Sequence, residues 1–545
     1  MPEFSDLSVL IVDPSPGMRA SLHNMLNASS ITKIDYATSA GTAIRQLGKK
    51  AYDIILCEYD LDGGGANGQD GQQLLEDLRH HRLIAPDTIF IMLTTEGTGA
   101  KVIGAAELTP TDYVLKPFTV EALMARIGRA VDRRNALLPA ATQVANGNLR
   151  EALRLCAAGI DGAPRYATDF ARLQAETHAA LEDWSEAELV YQTVLALRPG
   201  AGWAQLGAAR CHYAQGRYDD AREALERLLE LYPRFMSAHD LLARTYQALG
   251  QDHLAKKVLE HAVTISPHMV RRLRHLGELA FATDDIGAAE RAFRAVVGKA
   301  RYSEFRSPED HVNLVRTLVR KGDAGQAAGV IRDMERSLRG NADTDACRAL
   351  AAALVLDLGG HETAAAAELA RAAESARTAE ALSSQLKIGL VNACLRHRLD
   401  SPAAALVLDM MNDSARGLTV EQAVDVFEKA GRHDLAVTVG RRATQQAEEA
   451  LSDTAQKLGQ GELRAAVGAI TAAVRRSPRN VQVLLTAVQT ILRQLDELGW
   501  EAPLAEQATA LLARLRKLDP ANGALEHMAQ QYGATRRKYG IAATA

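Results

Sequence analysis

The sequence predicts a doubly wound α/β domain with a five-stranded parallel sheet, followed by an all-α solenoid. Three observations carry this. Short apolar runs alternate with amphipathic stretches over the first 130 residues, such runs stop after Val131, and the helical pattern beyond repeats with a period of 34. A chain of 545 residues exceeds one compact core, and its length suggests about three to four domain-sized units.

The strand candidates are Leu7–Val12, Asp53–Cys57, Thr88–Leu93 and Tyr113–Leu115, with Lys33–Ala37 a weaker fifth. Between them lie the amphipathic stretches Met18–Leu26, Ala40–Leu47, Gln72–Leu78, Val102–Ala106 and Glu121–Val131. Short strands separated by helices need right-handed crossovers, which bury a parallel sheet on both faces. In such a sheet the active edge lies at the carboxyl ends of the strands. Residues 137–148, LLPAATQVANGN, lack periodicity and read as a linker.

Beyond the linker the chain aligns on itself. Ala187, Ala221, Ala255 and Ala289 are each 34 apart, as are Tyr191, Leu225, Leu259 and Phe293, and Val194, Leu228, Ala262 and Val296. Pro199, Pro233 and Pro267 share that spacing, and so do Gly216 and Gly250. The small alanine lets two helices approach, the bulky residue fills the gap, glycine takes the turn, and proline ends the second helix. A 34-residue helix–turn–helix with these positions resembles the tetratricopeptide repeat (TPR). The match is strongest over 165–300, with Trp203 and Leu206 out of the expected phase. Gly322, Gly360 and Gly461 begin diverged copies, and Ala508, Leu512, Leu515 and Pro520 suggest a last one. Over 380–455 helices persist while the register does not.

The amino-terminal segments VLIVDPSPGMR, YDIILCEYDL, IMLTTE and DYVLKPF resemble the receiver domain of two-component response regulators. They occur in the right order, each at a strand's carboxyl end. The resemblance implies a site in which acidic side chains hold Mg²⁺ beside an acceptor aspartate, a Thr or Ser and a Lys contact the phosphoryl group, and an aromatic residue reports the switch. Here Asp13, Thr94, Lys116 and Tyr113 match, but Pro14 replaces the second acid of the first pair and Glu58 stands at the acceptor position. Mg²⁺ needs hard oxygen ligands at about 2.1 Å. Losing one carboxylate weakens the Asp13–Glu58 metal site, and a longer side chain misplaces an oxygen by roughly 1 Å, a costly positioning error. No cofactor is expected, and Mg²⁺ is doubtful. Three readings stay open: a permanent negative charge on Glu58, a decayed site kept for docking, and phosphorylation at the alternative acceptor Asp60. The glycine-rich stretch Gly63–Gly71, flanked by Asp62 and Asp70, reads as a surface loop, because no Lys-Ser/Thr follows it as in a phosphate cradle.

Composition narrows the class of function. Hydrophobic residues make up 47% and aromatics 5%, which suits small-residue helix packing. Residues 1–130 carry 11 Lys+Arg against 16 Asp+Glu, a net of −5 within a whole-chain net of −4, so the remainder holds about +1. Neither part has the basic surplus of a nucleic-acid binder. The five scattered cysteines lack metal-ligand spacing and read as buried residues in a reducing compartment. No apolar run approaches the roughly 20 residues needed to cross a bilayer, and no leader is read at the amino end, so the expectation is cytoplasmic. His80 and His81 are adjacent and cannot share a metal. Arg271, Arg272 and Arg274, which begin a repeat, are candidates for binding an acidic peptide, with a solvated basic face as the plainer reading.

The expected organisation is a receiver-like domain over 1–135, a linker over 136–148 and repeats over 149–380. Diverged helices over 381–455, terminal repeats over 456–535 and a tail over 536–545 complete it. No catalytic residue is expected. The expected function is an adaptor whose phosphorylation-independent receiver is coupled to a protein-binding repeat array. Its expected partners are other receivers, a histidine kinase or a peptide in the groove of the repeats, and pairing of two copies is compatible with this. The alternatives are a working phosphoacceptor with repeats as output, and a structural scaffold for a surface or secretion assembly.

Overall fold

The computed structural model describes residues 4–61, 70–95, 111–267, 269–300, 306–338, 342–379, 381–412, 418–478, 480–519 and 522–539. The expected helix at Val102–Ala106, Asp62, most of the glycine-rich stretch, and Pro520 lie outside them. The chain divides into two compact units, 1–317 and 318–545.

The first unit opens with β1 (Ser8–Val12), α1 (Pro16–Ala28), β2 (Lys33–Ala37), α2 (Ala40–Leu47), β3 (Ile54–Glu58), α3 (Gly71–His80), β4 (Ile89–Thr94) and β5 (Asp112–Leu115). All four strand pairings are parallel, in the order β2-β1-β3-β4-β5. Connections change direction between β1 and β3, so the carboxyl ends of these two strands flank a topological switch point. The expected five-stranded fold is thus present, including the weak fifth strand. Alternation explains its two-sided burial: Val9, Ile11, Ile54 and Leu56 face one core, with Leu22 and Leu123. Leu10, Val12, Ile55 and Cys57 face the other, with Leu74 and Leu78.

After β5 the structure departs from expectation. Helix α4 (Val120–Ala145) runs straight through most of the expected linker, with Pro139 inside it. Thr119 caps its start by accepting the Ala122 N–H at 3.2 Å. Tertiary packing outweighs the lost backbone donor of the proline, because Ala140 is buried with Cys156 and Phe170 of the next helices. Only residues 146–148 form a turn, with Gly147 at positive φ.

Next come α5 (Leu149–Gly162) and four helix pairs: α6 (Ala167–Ala180) with α7 (Trp184–Leu197), α8 (Gly202–Ala214) with α9 (Tyr218–Leu231), α10 (Met236–Ala248) with α11 (Asp252–Ile265), and α12 (Val270–Ala282) with α13 (Ile286–Ala300). The alanine column of period 34 is fully buried in all four pairs. The turns are left-handed at Glu182, Gly216, Gly250 and Asp284, so glycine marks only half of a column that the backbone keeps throughout. A second small-residue column, Ala175, Ala209, Ala243 and Gly277, lies on the first helices. A Cβ on Gly277 would stand 2.7 Å from the Phe293 ring, so that bulky partner requires glycine.

The second unit is also built of helix pairs. Left-handed turns at Gly360, Arg398, Gly431, Gly461 and Gly499 join them, so the helix–turn–helix plan persists over 381–455 where the sequence register fails. Register is lost there because the helix His433–Gly459 extends for 27 residues without a breaker. All five cysteines are buried and free. Among the described residues no helix is long and apolar enough to cross a membrane.

Candidate functional site

Three of the expected site residues meet at the switch point. Asp13 follows β1, Glu58 ends β3 and Lys116 follows β5. The Lys116 ammonium donates to Asp13 Oδ2 at 3.4 Å and makes a short contact to Glu58 Oε2. Side-chain exposure is 13% for Lys116, 12% for Glu58 and 2% for Asp13. The remaining oxygens are also engaged: Asp13 Oδ1 accepts the Ser15 N–H at 2.8 Å and Glu58 Oε1 accepts the Asp60 N–H at 3.2 Å. Arg19 donates to the carbonyls of Asp13 and Pro14 at 2.6 and 2.9 Å.

This donor set is engaged by Lys116 and is not open to Mg²⁺ as it stands. The residues offer two carboxylates, both turned to one ammonium, and Pro14 supplies no side-chain oxygen. A hard, octahedral cation would have to displace Lys116 from both carboxylates and complete its shell with water.

Thr94 ends β4 and is buried at the same edge, its carbonyl accepting the Lys116 N–H at 2.8 Å. Tyr113 packs inward against the sheet core beside Tyr59. Its hydroxyl is buried without a hydrogen-bond partner among the described residues, and burial pushes the phenol well above the usual tyrosine range. Asp60 lies past the strand end with an exposed side chain.

A second constellation joins α3 to the repeats. Asp70 caps α3, accepting the Gln73 N–H at 2.7 Å, while Gln73 Oε1 accepts the Asp70 N–H at 3.3 Å. Gly71 begins the helix so close to β3 that a Cβ would stand 2.5 Å from the Glu58 carbonyl oxygen. From α3, Gln73 donates to Ser266 Oγ at 3.4 Å, and Glu76 Oε1 accepts from Arg271 at 2.7 Å and Arg272 at 3.4 Å. Both arginines also donate to Asp240 of α10. His80 Nδ1 lies 3.5 Å from Arg271 Nη1. Partial burial first, then the Arg271 charge, holds the His80 imidazole below its usual value.

The arginine run therefore departs from both expectations. It is not a solvated basic face, since Arg272 is 1% exposed. Nor is it an open peptide site, since Arg274 is bidentate on Asp310 at 2.6 and 2.9 Å and the other two hold Glu76 and Asp240. Sequence reading missed Glu76 and Asp240. Nothing local marks them, because Glu76 meets its arginines across 195 and 196 residues.

The fold and these two constellations define a class: a doubly wound domain with a charged switch-point site, carried on helical repeats. Residues 9–128 match the response regulator receiver domain, and residues 178–245 and 237–269 match tetratricopeptide repeats. The chain thus joins a receiver domain to TPR repeats. It is 27% identical over 129 residues to the chemotaxis protein CheY of Pseudomonas aeruginosa, covering 24% of this chain and 99% of that protein. Chemotaxis protein CheY-3 of Vibrio cholerae is 25% identical over 128 residues, covering 24% and 94%. Among solved structures, a Francisella response regulator receiver domain aligns at 21% identity and a TM-score of 0.21, over 24% of this chain and 98% of its own. A tetratricopeptide repeat protein from Parabacteroides merdae aligns at 13% identity and a TM-score of 0.32, over 48% and 98%. Receiver and repeat modules together make this a signalling or adaptor type of protein.

Proposed function

We propose that this chain is a signal-transduction adaptor whose receiver works without phosphorylation and whose repeats bind proteins. The observation that carries this is the Lys116 ammonium held on Glu58 and Asp13 together. In the reading proposed here, Glu58 supplies a standing charge of −1 where a phosphoryl group would add about −2, and Lys116 is already committed to it. In-line transfer needs an aspartate oxygen and a bound metal, and neither is offered by Pro14 and Glu58. Docking then selects among protein partners: another receiver, a histidine kinase, or a segment lodged on the repeats.

Intact-protein mass after incubation with Mg²⁺ and acetyl phosphate tests it, with the Pro14→Asp/Glu58→Asp chain as a repaired control. The expected result is an unmodified natural chain beside a repaired chain that gains one phosphate. An acid-stable, base-labile phosphate on the natural chain would overturn the reading, and Asp60→Asn would then show whether Asp60 carries it.

A further inference from the structure

We infer that the repeats contain a single-carboxylate acceptor site, made by Arg271 and Arg272 over Asp240, and that Glu76 of the receiver occupies it as an in-chain ligand. The inference deepens the adaptor reading and rests on it only for the repeats being a docking surface.

Charge counting is the first support. Arg271 and Arg272 bring two positive charges to one place on α12, and Asp240 of α10 returns one negative charge. Both guanidinium groups share the Asp240 carboxylate of the repeats, Arg272 with no exposed side-chain surface. A buried guanidinium is stabilised by the acids it pairs with, so the site can accept a further carboxylate. Glu76 supplies it from another domain, with a side chain 9% exposed.

Geometry is the second support. Gln73, Glu76 and His80 are spaced i, i+3 and i+7, so they share one face of α3. All three meet the repeats: at Ser266, at the two arginines, and at Arg271. That is how a helical ligand reads a groove, through anchors on one face. The other face of α3 carries Leu74 and Leu78 into the sheet core. Thus α3 is both a structural helix of the receiver and a bound helix of the repeats. A partner that takes this site must be an amphipathic segment with a carboxylate placed as Glu76 is. It gains access when α3 withdraws.

The test uses a fluorescein-labelled peptide of residues 70–81, DGQQLLEDLRHH, titrated with the full-length chain and followed by anisotropy. The natural chain should bind it weakly, because its own α3 holds the site. The Glu76→Gln chain, which keeps the shape of the side chain, should bind at least tenfold tighter. The same peptide with glutamine in place of Glu76 should lose that gain. Glu76→Ala is the second variant, and circular dichroism checks that each retains the natural helix signal. Equal binding by the natural and both substituted chains would overturn the inference, as would equal binding of the glutamate and glutamine peptides. The acetyl phosphate result does not bear on this outcome, so either reading can fail alone.

Discussion

At the scale of single residues, charge balance holds the receiver's switch-point site together. Lys116 neutralises two carboxylates that would otherwise face each other with little access to water. Removing it as Lys116→Met should cost about 3 kcal/mol of stability, the penalty for stranding a buried charge. Adding Glu58→Gln should restore most of the loss, and urea denaturation of the two chains checks both. Asp53 offers a second case. Burial pushes its carboxyl up, but hydrogen bonds from Ser8 and the charge of Arg134 outweigh that, and the net effect is downward. A carboxylate with a depressed folded value stabilises the fold above its ordinary value of 3.8, and the contribution fades as pH falls through the folded value. Asp53→Asn should therefore lower the urea midpoint at pH 7 and make no difference in stronger acid. The residues of the switch point could be read from sequence because they sit at strand ends, where spacing fixes position. Their pairing could not, since it depends on where Lys116 reaches.

At the scale of elements, period and packing carry different amounts of information. The period of 34 placed the second helices correctly, because a buried alanine recurs wherever two helices touch. Turns are less legible: Glu182 and Asp284 adopt the left-handed backbone that glycine takes at 216 and 250, so the sequence hides half the column. A non-glycine residue pays about 1–2 kcal/mol for that conformation. Glu182→Gly should raise the thermal midpoint, corresponding to about 1 kcal/mol, as measured by calorimetry. Gly277→Leu should do the reverse by at least 2 kcal/mol, because the space beside Phe293 is filled and overpacking strains a core. The helix through Pro139 departs from its own local pattern. Its local signals say linker, and burial of Ala140 against the next two helices overrides them.

At the scale of the molecule, residues 1–317 form one compact unit in which receiver and repeats share ion pairs. Damage to the sheet should therefore register in the repeats. Leu56, fully buried in β3, gives a clean probe: Leu56→Ala should cost about 2–5 kcal/mol. With Trp500→Phe as background, fluorescence comes from Trp184 and Trp203 alone. Their unfolding midpoint in urea should fall with the Leu56→Ala substitution. An unmoved midpoint would show that the receiver unfolds on its own. Fold class and the order of domains were legible from patterning, whereas the union of the two domains was not, because ion pairs between elements nearly 200 residues apart leave no periodic trace.

The contact between Glu76 and the arginines also has a direction in time. Glu76 leaves the ribosome 195 residues ahead of Arg271, roughly 10 to 40 s earlier at ordinary synthesis rates. The receiver sequence is complete while α10 and α12 are still unmade. A receiver that folds as it is synthesised would present Glu76 to Arg271 and Arg272 as they emerge, and pulse-labelling of chains stalled at Glu260 checks whether the receiver is already folded there.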